Sequence, residues 1–210
     1  MQIRYGVMPA TAMGRQGVES QPMNVISVNR SQAQWRDIKG RRVLTAIGKR
    51  PVSGPVAVGP LGLDGDEQAD PTVHGGISKA VYLYPQAHFA FWQTVRAQAQ
   101  VSLWDEPLPP GAFGENLTVD GLTEDQLWVG DRLQLPGCVL AVSEPRFPCF
   151  KFNAAMGFDQ ASKLMVQSGW CGSYLAVLDP GQVQAGDAIT LIPGPREVSV
   201  RELFRSRARA

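Results

Sequence analysis

The segment Val129-Gly130-Asp131-Arg132-Leu133-Gln134-Leu135-Pro136 begins with a Gly-Asp turn and continues as a strand of alternating apolar and polar residues. A second segment of the same kind, Ala185-Gly186-Asp187-Ala188-Ile189-Thr190-Leu191-Ile192-Pro193, lies further along the chain. The first strand is followed by a Pro136-Gly137 turn and an apolar run over residues 139–142, which together predict a β-hairpin. Two such hairpin starts are typical of a closed or half-closed β-barrel.

The rest of the chain is also rich in short strand-forming runs. Strands are predicted over residues 25–28, 43–47, 51–60, 80–84, 116–119 and 174–178. The run at 51–60 contains three prolines and is predicted to be an edge strand, because proline cannot donate a hydrogen bond to a neighbouring strand. The alternating strand–helix order of a parallel sheet is missing, so the sequence predicts a mainly β fold with a few short helices.

Helices are predicted at three places. Residues 85–99 place apolar side chains three or four positions apart, and residues 159–168 form a shorter helix with Asp159 as its N-cap. Ser199 and Glu202 have the spacing of a capping box, which predicts a short basic helix after them. We therefore expect a flexible lead-in over residues 1–20, one β-barrel domain over 21–195, and a short basic helix or tail over 196–210.

Charge and composition argue against several classes of protein. The 210 residues include 20 basic and 19 acidic side chains, so no global positive field exists to bind nucleic acid or an anionic membrane. No apolar run approaches the roughly 20 residues that cross a bilayer, and the N-terminus lacks the apolar core of a signal peptide. We expect a cytoplasmic protein. Three cysteines are too few for a disulfide framework, and none has zinc-knuckle spacing.

One of these cysteines lies in the segment Pro145-Arg146-Phe147-Pro148-Cys149-Phe150-Lys151. If the segment is extended, alternate side chains share a face, so Lys151 lies on the side of Cys149 while Arg146 lies on the other. A cation beside the thiol favours the thiolate, which is the form that binds metals or acts as a nucleophile. A buried cysteine that only packs is the alternative, and the spacing alone leaves both open. Cys138 and Cys171 are expected to pack in the core.

Three further sites carry polar residues beside glycine. The glycines of His74-Gly75-Gly76 allow a ligand to approach closely, although a simple turn has the same pattern. Asp66 belongs to a group of acids around Gly65, and such acids often only bond their own backbone. The segment Phe113-Gly114-Glu115-Asn116 places a carboxylate and an amide before a strand, where they can hold a ligand or a proton, or simply cap a loop. His88, on a predicted helix, is interpreted as structural.

Taken in chain order, seven segments resemble the MOSC domain family, and specifically its YiiM-like subgroup. The resemblance extends over roughly residues 60–190, and the order of the segments makes it specific although each one alone is weak. The matching segments are Leu61-Gly62-Leu63-Asp64-Gly65-Asp66-Glu67-Gln68, Val73-His74-Gly75-Gly76, Lys79-Ala80-Val81-Tyr82-Leu83-Tyr84-Pro85, Phe113-Gly114-Glu115-Asn116-Leu117, Gly121-Leu122-Thr123, Val129-Gly130-Asp131 and the cysteine segment 145–151.

The resemblance implies a MOSC-type β-barrel that binds a molybdenum–pterin cofactor, with Cys149 as the expected molybdenum ligand. Members of the subgroup reduce N-hydroxylated compounds, including N-hydroxylated base analogues. We expect catalysis to depend on Cys149, with His74 and Glu115 as proton or pterin contacts. The residues expected to contact the cofactor are Lys151, Arg146, Asp66, Asn116 and Lys79.

The implied reaction also needs partners. The sequence shows no second redox centre, so the electrons for a small-molecule substrate are expected from an electron-donor reductase. A non-enzymatic carrier of molybdenum cofactor, or of sulfur on Cys149, uses the same cysteine and stays open as the alternative. A plain barrel with a packed cysteine requires the match of seven segments to be accidental.

Overall fold

The structure is a computed structural model that describes residues 22–70 and 75–208. The predicted lead-in over residues 1–20 lies outside this part of the chain, and the division into three parts stays a prediction. The described residues form thirteen strands and four α-helices. The strands are β1 Asn24–Arg30, β2 Gln34–Ile38, β3 Arg41–Thr45, β4 Arg50–Val52, β5 Val56–Gly59, β6 Gly62–Leu63, β7 Val81–Pro85, β8 Leu117–Asp120, β9 Arg132–Gln134, β10 Val139–Pro145, β11 Ser173–Asp179, β12 Gly181–Val183 and β13 Thr190–Ile192. The helices are α1 Phe89–Gln98, α2 Phe150–Met156, α3 Ala161–Ser168 and α4 Val200–Ala208.

Eight strands form the main sheet, in the order β13-β9-β10-β11-β7-β8-β1-β4. Neighbours are antiparallel except for the parallel pair β7 and β8. The segment that leads into β13 also bonds β1: the Val25 N–H donates to Asp187 O at 2.9 Å, and the Ile189 N–H donates to Met23 O at 2.8 Å. Backbone hydrogen bonds therefore link β1 to the segment that precedes β13 at the far edge of the sheet. The prediction of a mainly β fold is confirmed.

The two Gly-Asp segments have the same local structure. Asp131 Oδ2 accepts the Trp128 N–H at 3.1 Å, and Asp187 Oδ2 accepts the Gln184 N–H at 3.0 Å, so each carboxylate closes its own turn. The glycine before each aspartate has a φ near 90°, which side chains rarely tolerate. The strands that follow, β9 and β13, pair with each other. The repeated sequence thus forms two adjacent strands of the barrel wall.

The core centres on β7, whose five residues are all buried as its uninterrupted apolar sequence predicts. Tyr84 stacks on Phe113 with ring centres 4.0 Å apart and accepts a hydrogen bond from Trp92 Nε1 at 2.7 Å. Trp92 lies on α1 and also meets Phe152 of α2 edge to face. These aromatic contacts fix both helices against the barrel beside the segment that carries Cys149.

The prediction of one edge strand over residues 51–60 is wrong. Residues Arg50–Val52 form β4 at the edge of the main sheet, whereas Val56–Gly59 form β5 in a separate three-stranded sheet between β12 and β6. The break comes from Gly54, which has a φ of 76°, and from Pro55 after it. A single glycine–proline turn therefore sends the two halves of the run to different sheets.

The cysteine segment is extended only as far as Cys149, which has φ −131° and ψ 175° and is the N-cap residue of α2. The prediction that the segment stays extended through Lys151 is therefore wrong. The α2 helix has seven residues, and it forms because Phe152 and Met156 are buried against the core. Two turns give too little periodicity for the sequence pattern to reveal the helix.

The other helices lie close to their predicted positions. The α1 helix follows a 3-10 turn at Gln86–His88, and α3 starts at Ala161 with Gln160 as its N-cap, so the capping role predicted for Asp159 is wrong. Asp159 instead forms an ion pair with Lys39. The capping box before α4 forms as predicted. In the described part of the chain, we find no helix long and apolar enough to span a membrane.

Candidate functional site

An open cleft with a volume of about 620 Å³ lies between the loop at 45–49, the loop at 66–70 and the segment 146–151. Strands β7 and β11 form its floor through Tyr82 and Tyr174. Six of the predicted site residues line it, namely Cys149, Lys151, Arg146, Asp66, Asn116 and Lys79. The fold therefore brings together side chains that are far apart in the sequence.

Cys149 lies in the cleft wall and is half-buried. Its carbonyl oxygen accepts the Phe152 N–H of α2 at 2.9 Å and the Ser162 hydroxyl of α3 at 3.3 Å. These two bonds hold the backbone of Cys149 against both helices. Pro148, which precedes Cys149, has its own φ fixed by its ring. The thiol is thus presented to the cleft from a restrained backbone, and it remains accessible to a ligand.

The other two cysteines differ sharply from Cys149. Cys171 is fully buried, its thiol donates to Gly172 O at 3.2 Å, and burial raises its pKa well above the ordinary value. Burial likewise raises the pKa of Cys138 to about 11. Neither thiol readily forms a thiolate, so Cys149 is the cysteine of the described structure that suits metal binding.

Arg146 is the most unusual side chain of the cleft. It is 5% exposed, and its guanidinium lies 5.0 Å from the ring centre of Tyr82 and 5.4 Å from that of Phe152. Its Nη1 atom is buried and has no hydrogen-bond partner among the described residues. A buried charged donor without an acceptor costs free energy, so this atom points to an anionic ligand that enters from the cleft.

A second cation, Lys49, lies in the same cleft and forms an ion pair with Asp66, both side chains being less than one-tenth exposed. Asp66 also accepts the Ser31 N–H at 2.8 Å and the Asn116 side-chain amide at 2.9 Å. The amide oxygen of Asn116 accepts the Tyr82 N–H at 3.0 Å. Burial lowers the pKa of Lys49, although the carboxylate of Asp66 opposes that shift. Asp66 thus crosslinks distant strands rather than bonding its own turn.

Two further lysines, Lys151 and Lys79, line the cleft. Lys151 Nζ donates one hydrogen bond, to Leu44 O at 3.1 Å. Lys79 Nζ lies 3.8 Å from a carboxylate oxygen of Glu144 and 5.9 Å from the ring centre of Tyr174. An ammonium group has three N–H donors, so Lys151 can donate to an additional acceptor in the cleft.

The last two predicted site residues, Glu115 and His74, are not among the described residues that line the cleft. Glu115 is fully buried and is not among the residues that line the cleft. Its carboxylate accepts the Gly111 N–H at 2.6 Å, the Thr118 hydroxyl at 2.8 Å and the Phe113 N–H at 3.0 Å, while burial raises its pKa to about 7. These bonds give Glu115 a structural role in the loop before β8, and its catalytic role stays a prediction. His74 lies outside the described residues, so its role also stays a prediction.

Lys49, Tyr82 and Tyr174 also line the cleft, although their sequence context does not indicate it. Lys49 stands in a basic stretch, and Asp66 is 17 positions away on a different loop, so no local spacing signals their ion pair. The two tyrosines lie on predicted buried strands, where core packing is the default expectation. Lys49 and Tyr174 lie outside the seven segments that resemble the family, and Tyr82 lies inside one of them but has the pattern of a core residue.

Comparison with known proteins agrees with this architecture. The MOSC domain family matches residues 70–190. The uncharacterized protein YflK of Bacillus subtilis is 37% identical over 179 residues, which cover 85% of this chain and 77% of YflK. Protein YiiM of Escherichia coli is 37% identical over 158 residues, which cover 75% of this chain and 68% of YiiM.

A solved structure and a further sequence relative also match this chain over most of its length. The crystal structure of YiiM from Geobacillus stearothermophilus superposes with a TM-score of 0.70 at 31% identity and covers 89% of this chain and 84% of its own. A protein of Gibberella moniliformis named reductase is 34% identical over 173 residues, which cover 80% of this chain and 30% of that protein. The family match covers more than half of the chain, and the relatives match most of it. The chain belongs to the MOSC domain family, with YiiM among its relatives.

Proposed function

We propose that this protein binds a molybdenum–pterin cofactor in the cleft through Cys149 and reduces N-hydroxylated compounds to the corresponding amines or amidines. One observation carries the proposal: an accessible thiol and a buried guanidinium with an unpartnered donor line the same cleft. The first suits a soft metal, and the second suits an anionic group attached to that metal's organic ligand.

The donor set of the cleft fits a cofactor better than a bare metal ion. No three His, Cys, Asp or Glu side chains converge on a metal position in residues 22–70 and 75–208. A metal held there through Cys149 therefore needs most of its ligands from a bound organic molecule. Thiolate ligation of molybdenum follows the general preference of soft metals for sulfur.

The cations of the cleft are proposed to bind the phosphate of the cofactor. Arg146 offers its Nη1 atom, and Lys151 offers the donors that Leu44 O leaves unused. Hydrogen bonds between cationic donors and phosphate are among the stronger ones in proteins. Asp66 and Asn116 already bond each other, so we assign them the task of holding the cleft walls in position, and Lys79 is the next cofactor contact.

The reaction converts R–NH–OH, two electrons and two protons into R–NH₂ and water. A molybdenum cofactor held through Cys149 would supply the two-electron redox chemistry of this reduction. The chain has to orient the N–OH group, exclude bulk water and deliver protons. The ammonium of Lys49 is within the cleft, and His74 and Glu115 stay the predicted proton carriers. The electrons are proposed to come from a partner reductase.

Metal analysis tests the proposal directly. Protein made in a host that synthesises molybdenum cofactor is expected to contain about one molybdenum per chain, and Cys149→Ser nearly none, because an alcohol is a poor ligand for a soft metal. Cys171→Ser and Cys138→Ser are the controls and are expected to keep the metal. Equal molybdenum in the parent and in Cys149→Ser contradicts the assignment.

Turnover separates the enzyme from a cofactor carrier. The loaded parent is expected to reduce benzamidoxime or an N-hydroxylated adenine with reduced methyl viologen as the electron donor, whereas Cys149→Ser is expected to be inactive. Stoichiometric molybdenum without turnover of either substrate, combined with transfer of the cofactor to a second protein, favours the carrier.

A further inference from the structure

The β2–β3 hairpin is a separate two-stranded sheet whose base forms one wall of the cleft. Thr45, its last residue, lines the cleft, and Leu44 O binds Lys151. Arg36 lies across Gly48, between the cleft residues Ile47 and Lys49. The hairpin therefore stands at the mouth of the proposed active site.

This hairpin carries a local positive charge that the whole chain lacks. Residues 34–45 contain four basic side chains and one carboxylate, while the net charge of the chain is +1. Arg36, Arg41 and Arg42 are exposed, and no salt bridge to them is found among the described residues. Arg42 lies 5.2 Å above the ring of Trp35, which is itself 58% exposed. Arginine and tryptophan are the residues most enriched at binding hot spots.

A groove separates the hairpin from α2. Its volume is about 1020 Å³, with Ile38 and Arg41 on the hairpin side and Phe150 and Phe158 on the other. Phe150 is 54% exposed and directly follows Cys149. The groove thus combines an apolar centre with a basic rim, which is the usual arrangement of a protein–protein interface.

We propose that the groove between the β2–β3 hairpin and α2 is the docking surface for an acidic electron-transfer protein that delivers electrons to the cleft. This inference rests on the proposed reductase function. A surface next to the cleft is where electrons have to arrive, because the described residues present no metal cluster of their own as a second redox centre. A carboxylate-rich partner complements Arg36, Arg41 and Arg42, and apolar contacts with Phe150 and Trp35 limit its dissociation.

A polyanionic nucleic acid is the other ligand that a basic hairpin with an exposed tryptophan can bind. The surroundings of the hairpin argue against it. Asp37 lies opposite Arg42 in the strand register, and Asp159 lies at the end of the groove with Lys39. These carboxylates interrupt the continuous cationic track that a phosphate backbone requires. A surface with charges of both signs is better suited to bind a protein than a nucleic acid.

The test measures binding of a small acidic flavodoxin to the full cofactor-loaded chain and to the same chain without cofactor. The variant is Arg41→Glu/Arg42→Glu, which reverses two exposed charges of the hairpin. The matched control is Arg132→Glu/Lys163→Glu, which makes the same charge change at exposed positions on β9 and α3. At low salt the association rate of the hairpin variant is expected to fall by roughly tenfold or more, and that of the control to change far less. The difference is expected to vanish at high salt.

Each outcome decides the proposal. It is overturned if the flavodoxin does not bind the parent at low salt, or if the hairpin variant and the control associate at the same rate. It is also overturned if the charge reversal abolishes binding of a single-stranded oligonucleotide but leaves flavodoxin binding unchanged. Turnover with reduced methyl viologen bypasses the docking surface, so a parent that fails this assay disproves the reductase function, whereas an unchanged viologen rate in the hairpin variant isolates the docking defect.

Discussion

Two polar clusters of this chain are both buried, but only one of them is complete. Near α1, His88 Nε2 lies 2.7 Å from one carboxylate oxygen of Glu124, the other oxygen accepts the Gly172 N–H at 2.7 Å, and the imidazole stacks on Trp170. In the cleft, Arg146 leaves Nη1 without a partner among the described residues. Unpaired buried donors cost free energy, so the complete cluster serves stability, and the incomplete one is best explained by a ligand.

The largest effect is expected from breaking the complete cluster. Glu124→Ala leaves the Gly172 N–H and, in the tautomer that bonds Glu124, the His88 N–H buried without an acceptor. Each such group costs about 1–3 kcal/mol, so the free energy of unfolding is expected to fall by several kcal/mol in urea denaturation. The exposed Glu197→Ala is the control, with an expected change of under about 0.5 kcal/mol. Equal stability of the two variants contradicts the structural role.

A second complete cluster, around Glu115, predicts a pH dependence of stability. Burial raises the pKa of Glu115 from its ordinary 4.5 to about 7, so between these values the folded chain keeps a proton that the unfolded chain releases. The contribution of Glu115 to stability is therefore fully present below pH 4.5 and is lost as the pH rises to about 7, by about 3 kcal/mol in total. Above that pH the contribution of this group is constant.

The matched variant for this pH prediction is Glu115→Gln, which cannot titrate. Its free energy of unfolding, measured by urea denaturation from pH 4.5 to 7.5, is expected to vary less with pH than that of the parent by about the same 3 kcal/mol. If the two curves run parallel, Glu115 is ionised throughout, and its three hydrogen-bond donors outweigh its burial.

Much of the site could be predicted from the sequence because its residues stand in short segments of fixed order. Cys149, Arg146 and Asp66 line one cleft, while the roles expected for them stay predictions. The Gly-Asp repeat likewise predicted two strands that the barrel places side by side. The Gly-Asp turn is local information, since a turn specifies its own conformation before any tertiary contact forms, whereas the cleft residues could be named only because their segments resemble a family.

The rest could not be predicted because it depends on tertiary contacts. The ion pair of Lys49 with Asp66 joins two loops, and the burial of that pair follows from the surrounding barrel. Glu115 has the sequence context of a ligand-binding carboxylate. The N–H groups of its own loop reach that carboxylate only after the loop folds. The α2 helix forms because Phe152 is buried against Trp92, a contact that its two-turn pattern does not reveal.

The incomplete cluster is expected to respond to mutation in the opposite way from the complete ones. Arg146→Met removes the buried charge and keeps an apolar side chain between Tyr82 and Phe152. The stability of the cofactor-free chain is expected to stay within about 1 kcal/mol of the parent or to rise, because an unpaired buried donor is lost. Molybdenum cofactor affinity is expected to fall by roughly ten- to a hundredfold, since a hydrogen bond to a charged group is worth about 1.5–3 kcal/mol.

Measuring both quantities on the same preparations tests the comparison itself. Unfolding of the cofactor-free chain reports stability, and molybdenum content per chain reports occupancy. If Arg146→Met loses several kcal/mol of stability and binds cofactor like the parent, Arg146 stabilises the fold as Glu124 does. The proposed difference between the two clusters is then wrong.

The smallest effect is expected at Lys151, the other proposed phosphate contact. Its Nζ atom has a neutral partner in Leu44 O and is only partly buried, so water competes with any phosphate that it binds. Lys151→Ala is expected to lower cofactor affinity by about tenfold, the lower end of the range for a charged hydrogen bond. The exposed Lys163→Ala is the control and is expected to match the parent. If Lys151→Ala also matches the parent in molybdenum content, the lysine only anchors the β2–β3 hairpin, and the second cationic contact has to be sought at Lys79 or Lys49. Lys151→Ala is expected to lower molybdenum content less than Arg146→Met does. A larger loss in Lys151→Ala contradicts this order, because the accessible lysine then contributes more to cofactor binding than the buried arginine.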